Sequence, residues 1–296
     1  MNMYVPGNPP ELPSPQELCV KLEKLQRLIQ SLAPIAIGFS GGVDSTFLAA
    51  VCARCAPEQT TLIHLDTPFI ASPEKHACDQ ALASLGLAYI RLPLSPLVCS
   101  QVSQGARDRC YHCKHLAFQA ICTTASAIGC RTVLEGSNAS DDPHARPGMR
   151  AVQELGARSP LMELGWTKNE ERALLRSWGF AVWDMPAGAC LATRMAANEA
   201  ITPQKLDAIR ACEDYLHDLG LKQVRVRLSS TGAHIQADTD GLDQLASLAD
   251  PRKSPVPTEL ERQETPIPHH MACKLLELGR GVFSNLDRNA TLYRPS

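Results

Sequence analysis

Apolar residues recur at helical spacing from Glu17 to Leu32, at Leu18, Leu22, Leu25, Leu28, Ile29 and Leu32, which predicts an amphipathic helix that Pro34 stops. The continuous run IAIGFS (35–40) then reads as a buried strand and TFLAAVCARCA (46–56) as a helix, with Gly41 and Gly42 in the turn between them. TLIHLDT (61–67) is a second strand, SPEKHACDQALASLG (72–86) a helix and AYIRLPL (88–94) a third strand. CYHCKHLAFQAICTTASAIG (110–129) reads as another helix, followed by the strand RTVLEGS (131–137). Strands alternating with helices predict an α/β fold, a parallel sheet with helices on both faces.

The segment TKNEERALLRSWG (167–179) predicts a helix with Thr167 as N-cap and Glu170 three residues on. Past about residue 200 the pattern changes. PQKLDAIRACEDYLHDLG (203–220) is helical, and KQVRVRLSS (222–230) with GAHIQAD (232–238) reads as an antiparallel pair. The expected organisation is therefore a proline-rich lead-in over 1–16, an α/β domain over 17–200, and a smaller C-terminal α+β domain over 201–296. In that last domain, 251–270 carries five prolines and predicts an exposed connector before a final helix near 271–279.

Composition narrows the classes. With 296 residues, 44% of them hydrophobic, and a formal net charge of −2, the chain is an ordinary globular protein of two-domain length. The near-neutral balance argues against a broad nucleic-acid surface, because neutralising many phosphates takes an excess of Lys and Arg. The N-terminal stretch shows no signal-peptide pattern, and no run approaches the ~20 apolar residues of a membrane span. A cytoplasmic protein is expected, with its 12 cysteines reduced. Cys52, Cys55 and Cys122, set among Ala, Val and Ile, read as packing residues.

Candidate chemistry begins at Ser40-Gly41-Gly42-Val43-Asp44-Ser45-Thr46, between the first strand and its helix. Amides converging at a helix N-terminus bind phosphate, glycines admit close approach, and the serine hydroxyls add donors. No Lys follows, so this is not the loop of the nucleoside triphosphatases, and Asp44 is the candidate ligand for the magnesium that accompanies a triphosphate. The Ser-Gly-Gly-x-Asp-Ser hexapeptide resembles the pyrophosphate-binding loop of the PP-loop ATP pyrophosphatases, which cleave ATP between the α and β phosphates. That resemblance implies that Ser40, Gly41, Gly42, Asp44 and Ser45 hold ATP. It also implies that Asp66, at the end of the second strand, contacts the adenosine.

Further motifs choose within that superfamily. Gly136-Ser137-Asn138-x-x-Asp141-Asp142, Arg146-Pro147-Gly148, Arg158-Ser159-Pro160-Leu161, Thr167-Lys168, Trp183-Asp184 and Pro186-Ala187-x-Ala189-Cys190-Leu191-Ala192-x-Arg194 together resemble the LarE family of sulfur transferases. The likeness covers roughly 30–238, including Val224-Arg225-Val226-Arg227, and implies an ATP-dependent, AMP-forming sulfurtransferase in nickel-pincer nucleotide biosynthesis. It assigns Asn138 to ATP and Arg194, Arg225 and Arg227 to the substrate phosphate. The expected substrate is a small nucleotide, a pyridinium dicarboxylate mononucleotide, and a homo-oligomer is the expected assembly. Cys190 is the implied catalytic thiol. Cys110-x-x-Cys113 adds two more thiolates, and the resemblance extends to the branch in which three such cysteines hold a [4Fe–4S] cluster. A zinc reading with His112 or His115 as fourth ligand stays open beside it.

Arg225 and Arg227 alternate with Val224 and Val226, so both guanidinia project from one strand face, which suits a phosphate; a solvated strand face is the alternative that the family resemblance argues against. If the stretch after Cys190 is helical, Arg194 four residues on is expected to lower the thiol pKa. The rival reading is an iron–sulfur-dependent tRNA thiolase, against which stand the net charge of −2 and the lack of an added RNA-binding module.

Overall fold

The computed structural model describes residues 12–142, 147–186, 188–229, 232–248, 264–266, 271, 274–275, 277–278 and 291–293. The chain divides into two compact units. One comprises Met1–Leu65, His76–Pro93 and Lys114–Met185; the other comprises Asp66–Lys75, Leu94–Cys113 and Pro186–Ser296.

In the first unit, α1 (Pro15–Leu32) starts at Ser14, whose hydroxyl and amide both bond the Glu17 carboxylate, and it buries Leu25 and Ile29. Next come β1 (Ile35–Phe39), α2 (Val43–Cys55) and β2 (Thr60–Asp66). The helix α3 (Ser72–Leu85) leads to β3 (Ala88–Pro93). The parallel sheet has the order β3-β2-β1-β4, where β4 is Thr132–Leu134. Ile35 pairs with Thr60 on one side and with Thr132 on the other. With neighbours on both edges, β1 is buried nearly throughout, which is why it reads as an unbroken apolar run. After the short α4 (Ser100–Ser103) of the second unit, α5 (Arg109–Ala127) ends in the first, as do α6 (Pro147–Glu154), α7 (Pro160–Glu163) and α8 (Lys168–Ser177). One core layer centres on Phe47 and Trp166, whose ring centroids stand 4.9 Å apart. Another packs Phe118 and Ile121 of α5 with Ala36 and Ile63.

The second unit is built on α9 (Pro203–Asp218), β5 (Val224–Ser229), β6 (Gly232–Ala237) and α10 (Thr239–Leu248). Its strands β5 and β6 are antiparallel, Arg225 opposite Gln236 and Arg227 opposite His234. Two short strands extend the sheet to the order β5-β6-β8-β7, with β7 at Glu264–Pro266 and β8 at Thr291–Tyr293. The expectation of a plain connector over 251–270 is therefore corrected at 264–266, while 251–263 lie outside the described residues, as do 1–11 of the lead-in. The described positions of the helix expected near 271–279 are helical.

This unit starts earlier than the pattern change near 200. Phe69, Ala71, Val102, Leu191, Ala192 and Met195 share one core with Ile209, Val226 and Ile235. Burial, which is non-local, draws in segments that linear patterning assigns to the α/β part. Among the described residues, no helix is long and apolar enough to cross a membrane.

Candidate active site

The loop between β1 and α2 sits at a helix start with no side-chain cap. Gly42 is the N-cap, and the first intrahelical bond runs from Thr46 N–H to Gly42 O at 2.9 Å, so the amides before it have no partner inside the helix. Those amides and the positive end of the helix dipole favour an anion. Gly41 has φ +78°, and a Cβ there would lie 2.5 Å from Cα of Cys78, so both its conformation and its surroundings exclude a side chain. A Cβ on Gly136, just after β4, would come within 2.9 Å of Ser45 N. Ser40 Oγ and Ser45 Oγ are 3.0 Å apart, and Ser45 donates to Gly42 O at 3.2 Å. The two hydroxyls are thus fixed by each other and by the backbone.

Asp44 is held from two sides. Asn138 Nδ2 donates to its Oδ1 at 3.0 Å, and Lys168 Nζ at 2.5 Å. Asn138 is buried and locked by its own turn, its amide bonding Asp141 and its carbonyl oxygen Oδ1 accepting from Ser140 N–H. Lys168 opens α8, one turn before Glu171. That Glu171 is fully buried, and neither of its carboxyl oxygens has a hydrogen-bond partner. Burial, with Asp44 facing it, pushes the Glu171 carboxyl up to about 10, so it is neutral at pH 7. Asp66 is exposed at the C-terminal end of β2, its carbonyl accepting from Leu94 N–H at 3.0 Å.

The three cysteines singled out in the sequence all belong to the second unit. Cys110 and Cys113 lie one turn apart at the start of α5, Cys110 exposed and Cys113 half-buried against the core that contains Leu191. Cys190 precedes a single 3-10 turn, Leu191–Arg194, and is exposed. Protein crowding around the Cys190 thiol raises its pKa; the Ala192 amide lowers it, the Cys110 thiolate raises it, and Arg194 and Arg109 lower it. Arg194 thus acts in the expected direction, but the cost of desolvation outweighs it and leaves the thiol above its ordinary value. Arg109 also ties the two segments together, donating to Met195 O at 3.1 Å and Ala196 O at 3.2 Å. His112 is taken up by Asp108 at 3.1 Å. Among the described residues, no group of three or more His, Cys, Asp and Glu side chains is gathered for a metal ion.

Arg194 is buried and fully engaged. Its Nε and Nη2 reach the Glu213 carboxylate at 2.8 and 3.0 Å, and Nη1 reaches Ala189 O at 2.8 Å. Glu213 in turn accepts from Val226 N–H at 2.8 Å, so this arginine fastens the Cys190 segment to α9 and β5 and is not free for a phosphate. Arg225 and Arg227 share a strand face. Arg227 donates to Thr193 O at 2.8 Å, and its pKa is lowered by burial and then by the like charges of Arg225 and Arg194. An anion on that face would relieve the repulsion.

No family model matches the chain. A protein of Synechocystis sp. with no characterised function is 33% identical over 224 residues, which is 76% of this chain and 84% of that one. The pyridinium-3,5-bisthiocarboxylic acid mononucleotide synthase of Lactiplantibacillus plantarum, a LarE protein, is 26% identical over 220 residues, 74% of this chain and 80% of its own length. The chain is thus similar to a LarE protein along most of its length. An uncharacterised protein of Methanocaldococcus jannaschii is similar at 26% identity over 227 residues, 75% of this chain and 86% of that one.

Two polar residues at the loop escaped the reading of charge pattern. Lys168 reads as an ordinary first-turn residue of α8, yet it carries the ammonium on Asp44. Glu171 had a visible signal: with Leu174, Leu175 and Trp178 at i+3, i+4 and i+7, it stands on the apolar face of its helix. Arg146 lies outside the described residues.

Proposed function

We propose that the protein is an ATP-dependent, AMP-forming sulfurtransferase that converts a carboxylate of a pyridinium dicarboxylate mononucleotide into a thiocarboxylate. The observation that carries this reading is the loop at the start of α2, a glycine-lined anion cradle with a held carboxylate, in a chain related to the L. plantarum synthase. In this reading ATP lies in the loop. The substrate carboxylate oxygen attacks the α-phosphorus, pyrophosphate leaves, and the acyl-adenylate has AMP as a good leaving group. The Cys190 thiolate then attacks the acyl carbon and expels AMP, giving a thioester. Cleavage of the Cys190 Cβ–S bond, with loss of the α-proton, leaves the thiocarboxylate on the product and dehydroalanine in the chain. Ser40, Ser45 and the loop amides bind pyrophosphate, Asp44 holds magnesium, and Arg225 with Arg227 holds the substrate phosphate. Asn138 positions Asp44, and Asp66 is assigned to the adenosine.

Three thiols in one unit, two of them one turn apart and the third feeling the charge of the first, suit iron by donor type. A [4Fe–4S] cluster on Cys110, Cys113 and Cys190 would supply an iron position open to exchangeable sulfide. Nucleotide release and mass spectrometry test the reading together. Wild type should form AMP and pyrophosphate with the dicarboxylate substrate. Asp44→Asn should lose at least ~100-fold of that rate while staying folded, and Cys190→Ala should keep adenylation but lose sulfur transfer. In cluster-free protein a mass loss of about 34 Da at Cys190 is expected, the elements of hydrogen sulfide lost when cysteine becomes dehydroalanine. Full sulfur transfer by Cys190→Ala sinks the thiol's role.

A further inference from the structure

We propose that Glu171 is the second carboxylate of a divalent-cation site at the phosphate loop, completing with Asp44 a site that Asp44 alone is too nearly neutralised to form. The inference rests on the loop being the ATP site and deepens that reading. Asp44 already shares an oxygen with the Lys168 ammonium and the Asn138 amide, so the pair Asp44–Lys168 has no excess negative charge with which to attract a dication. The neighbouring carboxylates are spent elsewhere: Glu135 accepts from Ser137 at 2.8 Å and from Ser159, and Asp141 accepts from Asn138 N–H at 3.1 Å. Glu171 is different. It is 0% exposed, neither oxygen meets a donor in good hydrogen-bond geometry, and the side chains that act on it are the Asp44 carboxylate and the Asn138 amide at the loop.

Buried polar groups in native proteins are almost always satisfied, so a carboxyl with two bare oxygens calls for a water, an ion or a function. A dication answers that need here. Binding would displace the Glu171 proton to solvent; with both carboxylates then ionised and Lys168 protonated, a dication leaves the cluster with one net positive charge, which suits a polyphosphate. Magnesium binds through one or two carboxylates and completes its shell with waters and phosphate oxygens, so two protein ligands suffice. The helix spacing helps as well. Lys168 and Glu171 are three residues apart on α8, so the ammonium that holds Asp44 and the second carboxyl stand on one face.

The test uses the full chain with Mn2+ as probe and the non-hydrolysable α,β-methylene analogue of ATP, free Mn2+ being read by electron paramagnetic resonance. Wild type should bind one Mn2+ per chain. Glu171→Gln, nearly the same in shape, should weaken Mn2+ at least ~10-fold while nucleotide affinity measured in EDTA stays within about twofold. Glu171→Leu, matched to Leu174 and Leu175, should behave alike and guards against a packing defect peculiar to Gln. If wild type binds no Mn2+, or if both variants bind it within about twofold of wild type, the site is overturned. A chain that makes no AMP but binds Mn2+ in a Glu171-dependent way refutes the sulfur-transfer reading and leaves the cation site standing. An active enzyme whose Mn2+ affinity ignores Glu171 does the reverse.

Discussion

The loop at the start of α2 and the Cys190 segment are held in opposite ways. At the loop, shape does the holding: Gly41 and Gly136 leave no room for a methyl group, and the hydroxyls of Ser40 and Ser45 bond each other. At Cys190, charge does it: one buried arginine grips Glu213 and the Ala189 carbonyl, and a second, Arg109, reaches two carbonyls at 195 and 196. In the proposed role, a loop that presents amides to a polyphosphate gains from a rigid backbone with fixed donors. A thiol that must meet a substrate or metal has to stay accessible, so it cannot be buried under a close-packed wall; its anchors lie behind it, in the core of the second unit.

The largest expected effect follows from the charge anchor. Arg194 and Glu213 are only 4% and 3% exposed, and removing one partner leaves the other charge buried without compensation. Arg194→Met should cost about 3–5 kcal/mol of stability, and Arg194→Met with Glu213→Leu should recover a good part of it. Denaturant unfolding of the two variants measures both numbers. A single variant as stable as wild type would mean that packing, not charge, holds the Cys190 segment.

The loop predicts a smaller effect with a defined pH signature. In the folded protein Glu171 is raised to about 10 from an unfolded value of 4.5, chiefly by burial and then by Asp44. A raised carboxyl gives its full stability below the unfolded pKa and loses it as pH climbs toward the folded one, because only the unfolded chain gives up the proton in that window. In EDTA, wild type should therefore lose about 1.4 kcal/mol per pH unit relative to Glu171→Gln between roughly pH 6 and 8. Parallel unfolding midpoints for the two proteins across that range would show that Glu171 is ionised in the native state.

Sequence and structure agree best where one local pattern decides the outcome. The strand, glycine turn and helix around 35–55 announce themselves because β1 is buried on both faces and the turn needs Gly41. The alternation of Val224 to Arg227 likewise places both arginines on one face, as the pairing with Gln236 and His234 shows. What depends on partners far along the chain is hidden. Phe69 and Val102 look like loop residues of the α/β part, yet they pack with α9 and β5. Arg194 looks like a phosphate ligand until Glu213, 19 residues on, claims it. The strand at 264–266 is only three residues long and contains a proline, so neither period nor propensity could reveal it. Lys168 is a helix charge of the kind that normally faces water, and only the tertiary position of α8 turns it toward Asp44, whereas Glu171 is marked in the sequence by the apolar face it stands on.

The smallest effect tests whether that turn of α8 is set locally or by the site. Glu170 accepts from Thr167 N–H at 2.7 Å and from the Thr167 hydroxyl at 2.9 Å, and its carboxylate also takes the Lys21 ammonium at 2.7 Å. Burial raises the Glu170 pKa, but the Lys21 and Thr167 bonds more than offset it and leave the group below its ordinary value. The cap thus has a second tie, to α1, that survives loss of the threonine hydroxyl. Thr167→Ala should cost about 1 kcal/mol, the usual worth of a helix cap, and should leave Mn2+ affinity unchanged if Lys21 and the backbone N–H of residue 167 keep Glu170 and the first turn in place. If the same variant instead weakens Mn2+ as strongly as Glu171→Gln, the orientation of Lys168 and Glu171 depends on the cap, and the loop site is held by a local hydrogen bond and not by the packing of α8 against α2.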